Sequence, residues 1–182
     1  MDIVIKYYFG VCMVIDVIRE RKSVRNFVSE AGVSEGQIRE LLEAAMLAPS
    51  ACNSRPWKFI VVQNRGKLCE ITSIHPYTQM LTTASCAIVV CADLSLQRGV
   101  SEGFFPQDCG AATQNILLQA AALGLGTCWC GIYPKMDKVK DFRSLFELPD
   151  SVVPFCVIAV GVPAEEMGGR GFYEEGKVTW IK

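Results

Sequence analysis

Two stretches of this chain are apolar on both faces of a strand. "CAIVVCAD" (86–93) and "VVPFCVIAVGVP" (152–163, with Pro154 at its start) lack the in–out alternation of a half-exposed strand, so each predicts a central strand of a sheet covered on both sides. Such a sheet needs helices on its faces, and the intervening sequence supplies them. Ser34, with Gln37 three residues on, makes a capping-box start for a helix over 34–48 that turns Ile38, Leu41, Leu42, Ala45 and Met46 inward and closes at Pro49. Residues 107–123, "QDCGAATQNILLQAAAL", are small or apolar almost all round, which predicts a helix buried in the core or against another subunit.

The remaining elements follow from shorter signals. Val14, Val17 and Ile18 recur at helical spacing ahead of the charged turn Arg19–Lys22, and "SVRNF" (23–27) then reads as a turn or loop. "WKFIVVQ" (57–63) is a strand, "NRG" a turn, 66–73 a short helix, "TCWCGIYP" (127–134) a strand and turn, and "MDKVKDFRSLFE" (136–147) a surface helix. The last nineteen residues mix glycines, charges and aromatics without periodicity. No repeat, low-complexity tract or linker divides the 182 residues, so the expectation is one domain over 1–182, α+β or α/β. Residues 1–13 read as an N-terminal extension, either an extra strand or an over-long start before Met13.

Composition removes several classes of function. With 51% hydrophobic and 20% charged residues the chain folds rather than remaining disordered, and a net charge of −1 gives no basic field for nucleic acid. The apolar start "MDIVIKYYFGVCMVIDVI" is broken by Asp2, Lys6 and Asp16 and has no basic n-region or cleavage site, so it predicts neither a signal peptide nor a membrane span. Nine cysteines, an odd number without a Cys-x-x-Cys pair, suit buried thiols in a reducing cytoplasm. Cys128 and Cys130 form a Cys-x-Cys, but with one histidine, His75, no second ligand cluster stands at zinc spacing, and no metal is expected. His75 lies in "IHPY" without a Gly-x-Ser-x-Gly elbow and reads as a surface or packed residue. The phosphate-loop patterns Gly-x-Gly-x-x-Gly and Gly-x-x-x-x-Gly-Lys are absent.

Two polar stretches remain. In "RERKSVRNF" (19–27), Arg21, Lys22, Ser23 and Arg25 crowd three cations and a hydroxyl at a helix-to-loop junction. The group is either a helix C-terminus with favourable charge or an anion site in which Arg supplies a planar fork, Lys a point charge and Ser a hydroxyl. In "APSACNSRPWKF" (48–59), the helix stops at Pro49, and Ser50, Ala51, Asn53 and Arg55 form a small polar loop before the next strand. Alone it is ordinary punctuation; if it meets the first stretch in space, it would complete a cradle for a ligand.

These two stretches, together with "DCGAATQNILLQAAALGLGTCWCGIYP" (108–134) and "IAVGVPAEE" (158–166), occur in the order and at the spacing of the FMN-dependent nitroreductase family, which the chain resembles over nearly all of 14–180. The resemblance implies an α+β nitroreductase-like fold: a mixed, mostly antiparallel central sheet flanked by helices, in a homodimer with FMN at the subunit interface. It implies that Arg21, Lys22 and Ser23 hold the FMN phosphate and ribityl chain and that Arg25 lies near the N1 and O2 edge of the ring, where a cation stabilises the reduced anion. Pro49, Ser50, Ala51, Asn53 and Arg55 would reach the cofactor from the other subunit. Cys128, Trp129, Cys130 and Gly131 would back the flavin face opposite the substrate with an amide near N5, and Arg170 would contact the phosphate.

The activity so implied is hydride transfer from NADH or NADPH through flavin N5 to a nitroaromatic, quinone or similar small-molecule acceptor, donor and acceptor alternating, with no catalytic side chain required. The alternatives are a flavin-fragmenting or reductively dehalogenating relative, for which 94–106 offers little lid material, and a non-enzymatic flavin-binding protein. Arg55 stands where glutamine is common, Phe172 where a second basic residue often follows, and Thr179 where histidine is frequent.

Overall fold

The two apolar stretches are the inner strands of a four-stranded sheet. The computed structural model describes residues 14–166, 168 and 171–182; the extension expected over 1–13 and Arg170 lie outside them. The sheet order is β1 (Trp57–Val62), β2 (Cys86–Asp93), β4 (Val152–Gly161) and β3 (Gly126–Gly131). All three pairings are antiparallel. Every residue of β2 and β4 is buried, which accounts for their missing alternation. Ile88, Val89, Val90, Val157, Ile158 and Val160 are wholly withdrawn from water, each worth about 1.5–3 kcal/mol before the entropy of ordering is set against it.

One face of the sheet is covered by α4 (Phe105–Ala122), with α2 (Glu35–Met46) packed on α4. The helix α5 (Met136–Leu145) packs on β4 and α3 (Arg65–Ile74) packs on α5. The capping box of α2 forms as expected: Ser34 Oγ accepts from the Gln37 amide and Gln37 Oε1 accepts from the Ser34 amide. The expected "NRG" turn is instead a helix start. Asn64 Oδ1 accepts from the Lys67 amide at 3.0 Å, so α3 begins at Arg65. The long helix begins two residues before the expected 107, because Pro106 falls in its first turn, where no amide is needed.

Residues 23–27, expected as a turn or loop, run extended across one end of the sheet. Ser23 makes an isolated parallel bridge to Thr127 and Phe27 an antiparallel one to Pro163. The parallel part of the expected mixed sheet is thus that first bridge. Two glycines make the crossing possible: a Cβ on Gly126 would stand 2.8 Å from Val24 Cγ1, and one on Gly161 2.8 Å from Phe27 Cδ1. Val24 and Phe27 are buried there, and the polar residues between them face outward.

Candidate functional site

After the short helix α1 (Asp16–Glu20) the chain straightens, and the Val24 amide donates to the Thr127 carbonyl at 2.8 Å. Farther on, the Val28 amide donates to Val162 and the Ala164 amide to Asn26, at 3.0 and 2.9 Å. With Val24 inside, Ser23 and Arg25 are turned out on either side of it. Sequence neighbours thereby become the wall of a cavity of about 410 Å³, lined by Arg21, Lys22, Ser23, Arg25, Asn26 and Glu165.

Three cations face one carboxylate in this cradle. Glu165 Oε1 accepts from the Arg25 amide at 3.1 Å, and its Oε2 stands 3.5 Å from Lys22 Nζ. The Arg25 amide foremost, with the Lys22 charge, holds the Glu165 carboxyl below the usual carboxylate range. A carboxylate oxygen is thus already held here by a backbone amide and an ammonium, and Arg21, Ser23 and Arg25 line the same cavity, a donor set of the kind that suits a phosphate.

Arg25 also lines a second cavity, of about 450 Å³, with His75, Pro76, Tyr77, Gln79, Met80 and the 128–131 segment of β3. β3 is an edge strand. Its Thr127 carbonyl accepts from Val24, and its Gly131 carbonyl lies 2.9 Å from His75 Nε2. Both point away from β4, so by strand alternation the amides of Trp129 and Gly131 face outward as well. His75 is packed, as expected: Nδ1 accepts from the Tyr77 amide at 3.3 Å, which puts the ring proton on Nε2, donated to Gly131.

Pro49, Ser50, Ala51, Asn53 and Arg55 line neither cavity. Their loop is held beside α4 instead. The Ala51 amide donates to Asp108 Oδ1 at 2.8 Å, the Arg55 amide donates to Ser50 Oγ, and the Arg55 guanidinium donates to the Met46 carbonyl and stacks 5.8 Å from the Trp57 ring. Cys52, Asn53 and Arg55 adopt φ of +51°, +52° and +47°, a left-handed run that non-glycine residues take at a cost.

Within one chain the structure thus joins Arg21, Lys22, Ser23 and Arg25 to Cys128, Trp129, Cys130 and Gly131, and leaves the 49–55 loop apart. It adds Asn26, Glu165 and the 75–80 wall, which the residue patterns did not single out as site residues. "IAVGVPAEE" carried the only signal for Glu165. Among the described residues no three His, Cys, Asp or Glu gather as a metal site, and no helix is long and apolar enough to cross a membrane.

The sequence model of the nitroreductase family matches residues 18–77 and 72–162. A Methanothermobacter thermautotrophicus protein, provisionally named an NADH dehydrogenase/NAD(P)H nitroreductase, is 46% identical over 165 residues, 91% of this chain and 85% of its own. An oxygen-insensitive NADPH nitroreductase of Helicobacter pylori J99 is 35% identical, covering 91% of this chain and 95% of its own. Among solved structures, a Bacteroides thetaiotaomicron protein provisionally named like the first superposes with a TM-score of 0.84 at 41% identity, over 91% of this chain and 95% of its own. A Desulfovibrio desulfuricans protein provisionally named a nitroreductase and solved in complex with FMN superposes at 0.76 and 27% identity, over 91% and 94%. With the family match spanning most of the sequence and close relatives covering nine-tenths of it, this chain belongs to the nitroreductase family.

Proposed function

We propose that the chain is an FMN-dependent oxidoreductase that draws on NADH or NADPH, and that it works as a homodimer with FMN at the subunit interface. The observation that carries this reading is Arg25, shared between a strongly cationic cradle and a second cavity walled by a strand edge. FMN has the matching shape, a phosphate on a polar chain joined to a flat ring.

In this reading Arg21, Lys22 and Ser23 hold the phosphate and ribityl chain, and Glu165 yields its place among those donors. Arg25 holds a fixed positive charge at the pyrimidine edge of the ring, and Arg170 adds a phosphate contact from the tail. Cys128, Trp129, Cys130 and Gly131 back the ring, with an outward amide of Trp129 or Gly131 aimed at N5. FMN held there would supply the hydride chemistry, with NADH or NADPH as donor and a nitroaromatic, quinone or similar molecule as acceptor, the two alternating. The protein's part is position, charge and exclusion of water.

The separate placement of Pro49, Ser50, Ala51, Asn53 and Arg55 supports a role toward the partner's cofactor. Leu47, Phe172 and Ile181 are 77%, 84% and 95% exposed, apolar surface that a partner subunit would cover. All eight cysteines of the described residues are free thiols, in keeping with a reducing cytoplasm.

Titrating FMN and riboflavin into flavin-free protein tests the assignment. FMN is expected to bind about a hundredfold or more tightly than riboflavin, since only FMN brings the dianion to the cradle. Equal affinities would contradict the placement of the phosphate.

A further inference from the structure

We propose that Cys128 and Cys130 form a two-thiol site, on the wall of the Arg25 cavity, that takes organic trivalent arsenicals. Residues two apart on a strand project from the same face, and both cysteines line the one cavity of about 450 Å³. At about 3.3 Å per residue their α-carbons stand roughly 6.6 Å apart, with parallel Cα–Cβ bonds. That is the far limit for a disulfide, whose β-carbons must converge. While β3 stays paired with β4, the β-carbons do not converge for a direct S–S bond, whereas one atom bridging the two sulfurs spans the longer separation.

Among the described residues no third His, Cys, Asp or Glu joins the pair, so a four-coordinate ion such as zinc lacks its ligands. Arsenic carrying one organic group needs two soft sulfur ligands and no more. The step is an exchange without oxidation. With a methylarsonous acid probe, two As–O bonds break and two As–S bonds form, and the two thiol protons leave with the two hydroxyls as water.

The surroundings favour the first attack at Cys128. The adjoining Cys130 thiol draws it down to about 7 against its burial, with help from the Arg25 cation. Cys130 is held up by that same neighbour and by burial, and it keeps a proton for the Tyr77 carbonyl 3.1 Å away. Cys128 and Cys130 are themselves only 2% and 6% exposed, but the other core thiols differ: burial pushes Cys86, Cys91 and Cys156 up to about 12, and none of them lines this cavity.

The test uses full-length, flavin-free protein with Cys52, Cys69 and Cys12 replaced by serine; the first two are exposed and Cys12 lies outside the described residues. Methylarsonous acid should add once per chain by native mass spectrometry and remove two titratable thiols. Cys128→Ser and Cys130→Ser, each repeated as alanine and each checked for an unchanged unfolding temperature, should weaken binding by about 10²–10⁴-fold, the loss expected when a chelate becomes a single bond. Undiminished binding in either pair of folded variants, or no adduct on the parent, would overturn the proposal. The site rests on the cavity and not on the flavin reading. Protection by FMN would support both, while chelation that saturating FMN leaves untouched would uphold the dithiol site and count against the ring's placement.

Discussion

Asp108, in the first turn of α4, accepts at Oδ1 a 2.8 Å hydrogen bond from the Ala51 amide, fifty-seven residues earlier in the chain. Asp108 is only 4% exposed, and its Oδ2 has no partner among the described residues. This bond ties the left-handed loop over Cys52, Asn53 and Arg55 to the most deeply buried helix. Asp108→Ala leaves that amide unpaired and should cost about 1–3 kcal/mol, seen as a fall in Tm of roughly 2–12 °C for a chain of this size. A change below about 1 °C would mean that the loop holds its shape without the carboxylate.

Glu165 stands among the donors assigned to the FMN phosphate, and its negative charge opposes a dianion there. Glu165→Gln keeps the shape and removes the charge, so FMN should bind severalfold more tightly in a fluorescence titration, with the largest gain at low salt. Weaker binding would mean that the carboxylate organises the cradle through Lys22 and the Arg25 amide rather than competing for it.

The crossing of residues 23–27 rests on Gly126 and Gly161. Gly126→Ala forces its Cβ against Val24 at 2.8 Å and should destabilise by about 1–3 kcal/mol. Val24→Gly removes the Cβ at 2.9 Å together with both methyl groups, so the double variant should be more stable than the sum of the two losses by about 1 kcal/mol in urea unfolding. Strict additivity would show that the strand ends do not meet as described.

Much of this frame is legible in the residues. β2 spans the whole of "CAIVVCAD" because a strand buried on both faces leaves a contiguous apolar run, and Ser34 with Gln37 marks the start of α2 by local chemistry alone. "SVRNF" was harder to read: its extended course depends on two glycines one hundred and more residues away, where no local pattern points. The cradle divides in the same way. Arg21, Lys22, Ser23 and Arg25 are adjacent and betray themselves as a charge cluster, whereas Glu165 and the His75–Met80 wall arrive only through the sheet order. Asn64 looked like part of a turn because capping and turn chemistry favour the same residues.

Acid should act on β2 through Asp93. Its Oδ2 lies 2.7 Å from Lys58 Nζ, and Ser95 donates to its Oδ1 at 2.6 Å. Lys58 first, then Ser95, pulls its carboxyl down to about 2. With the folded value below the unfolded one of about 3.9, this stabilisation is full above roughly pH 4 and is lost as pH falls toward 2. Asp93→Asn should therefore flatten the loss of stability over that window by roughly 1 kcal/mol, the half-exposed Lys58 limiting the effect. Parallel urea midpoints for the two proteins from pH 5 to 2 would contradict it.

A flavin oxidoreductase of this build passes electrons at the cavity that Arg25 joins to the cradle. The absorbance spectrum of the purified protein, followed anaerobically as NADH and then NADPH are added, measures this directly. Flavin bands that bleach with one of the two, and return when a quinone is supplied, are the predicted result. Bands that persist with both nicotinamides, or protein that carries no flavin even after FMN is added, would contradict it.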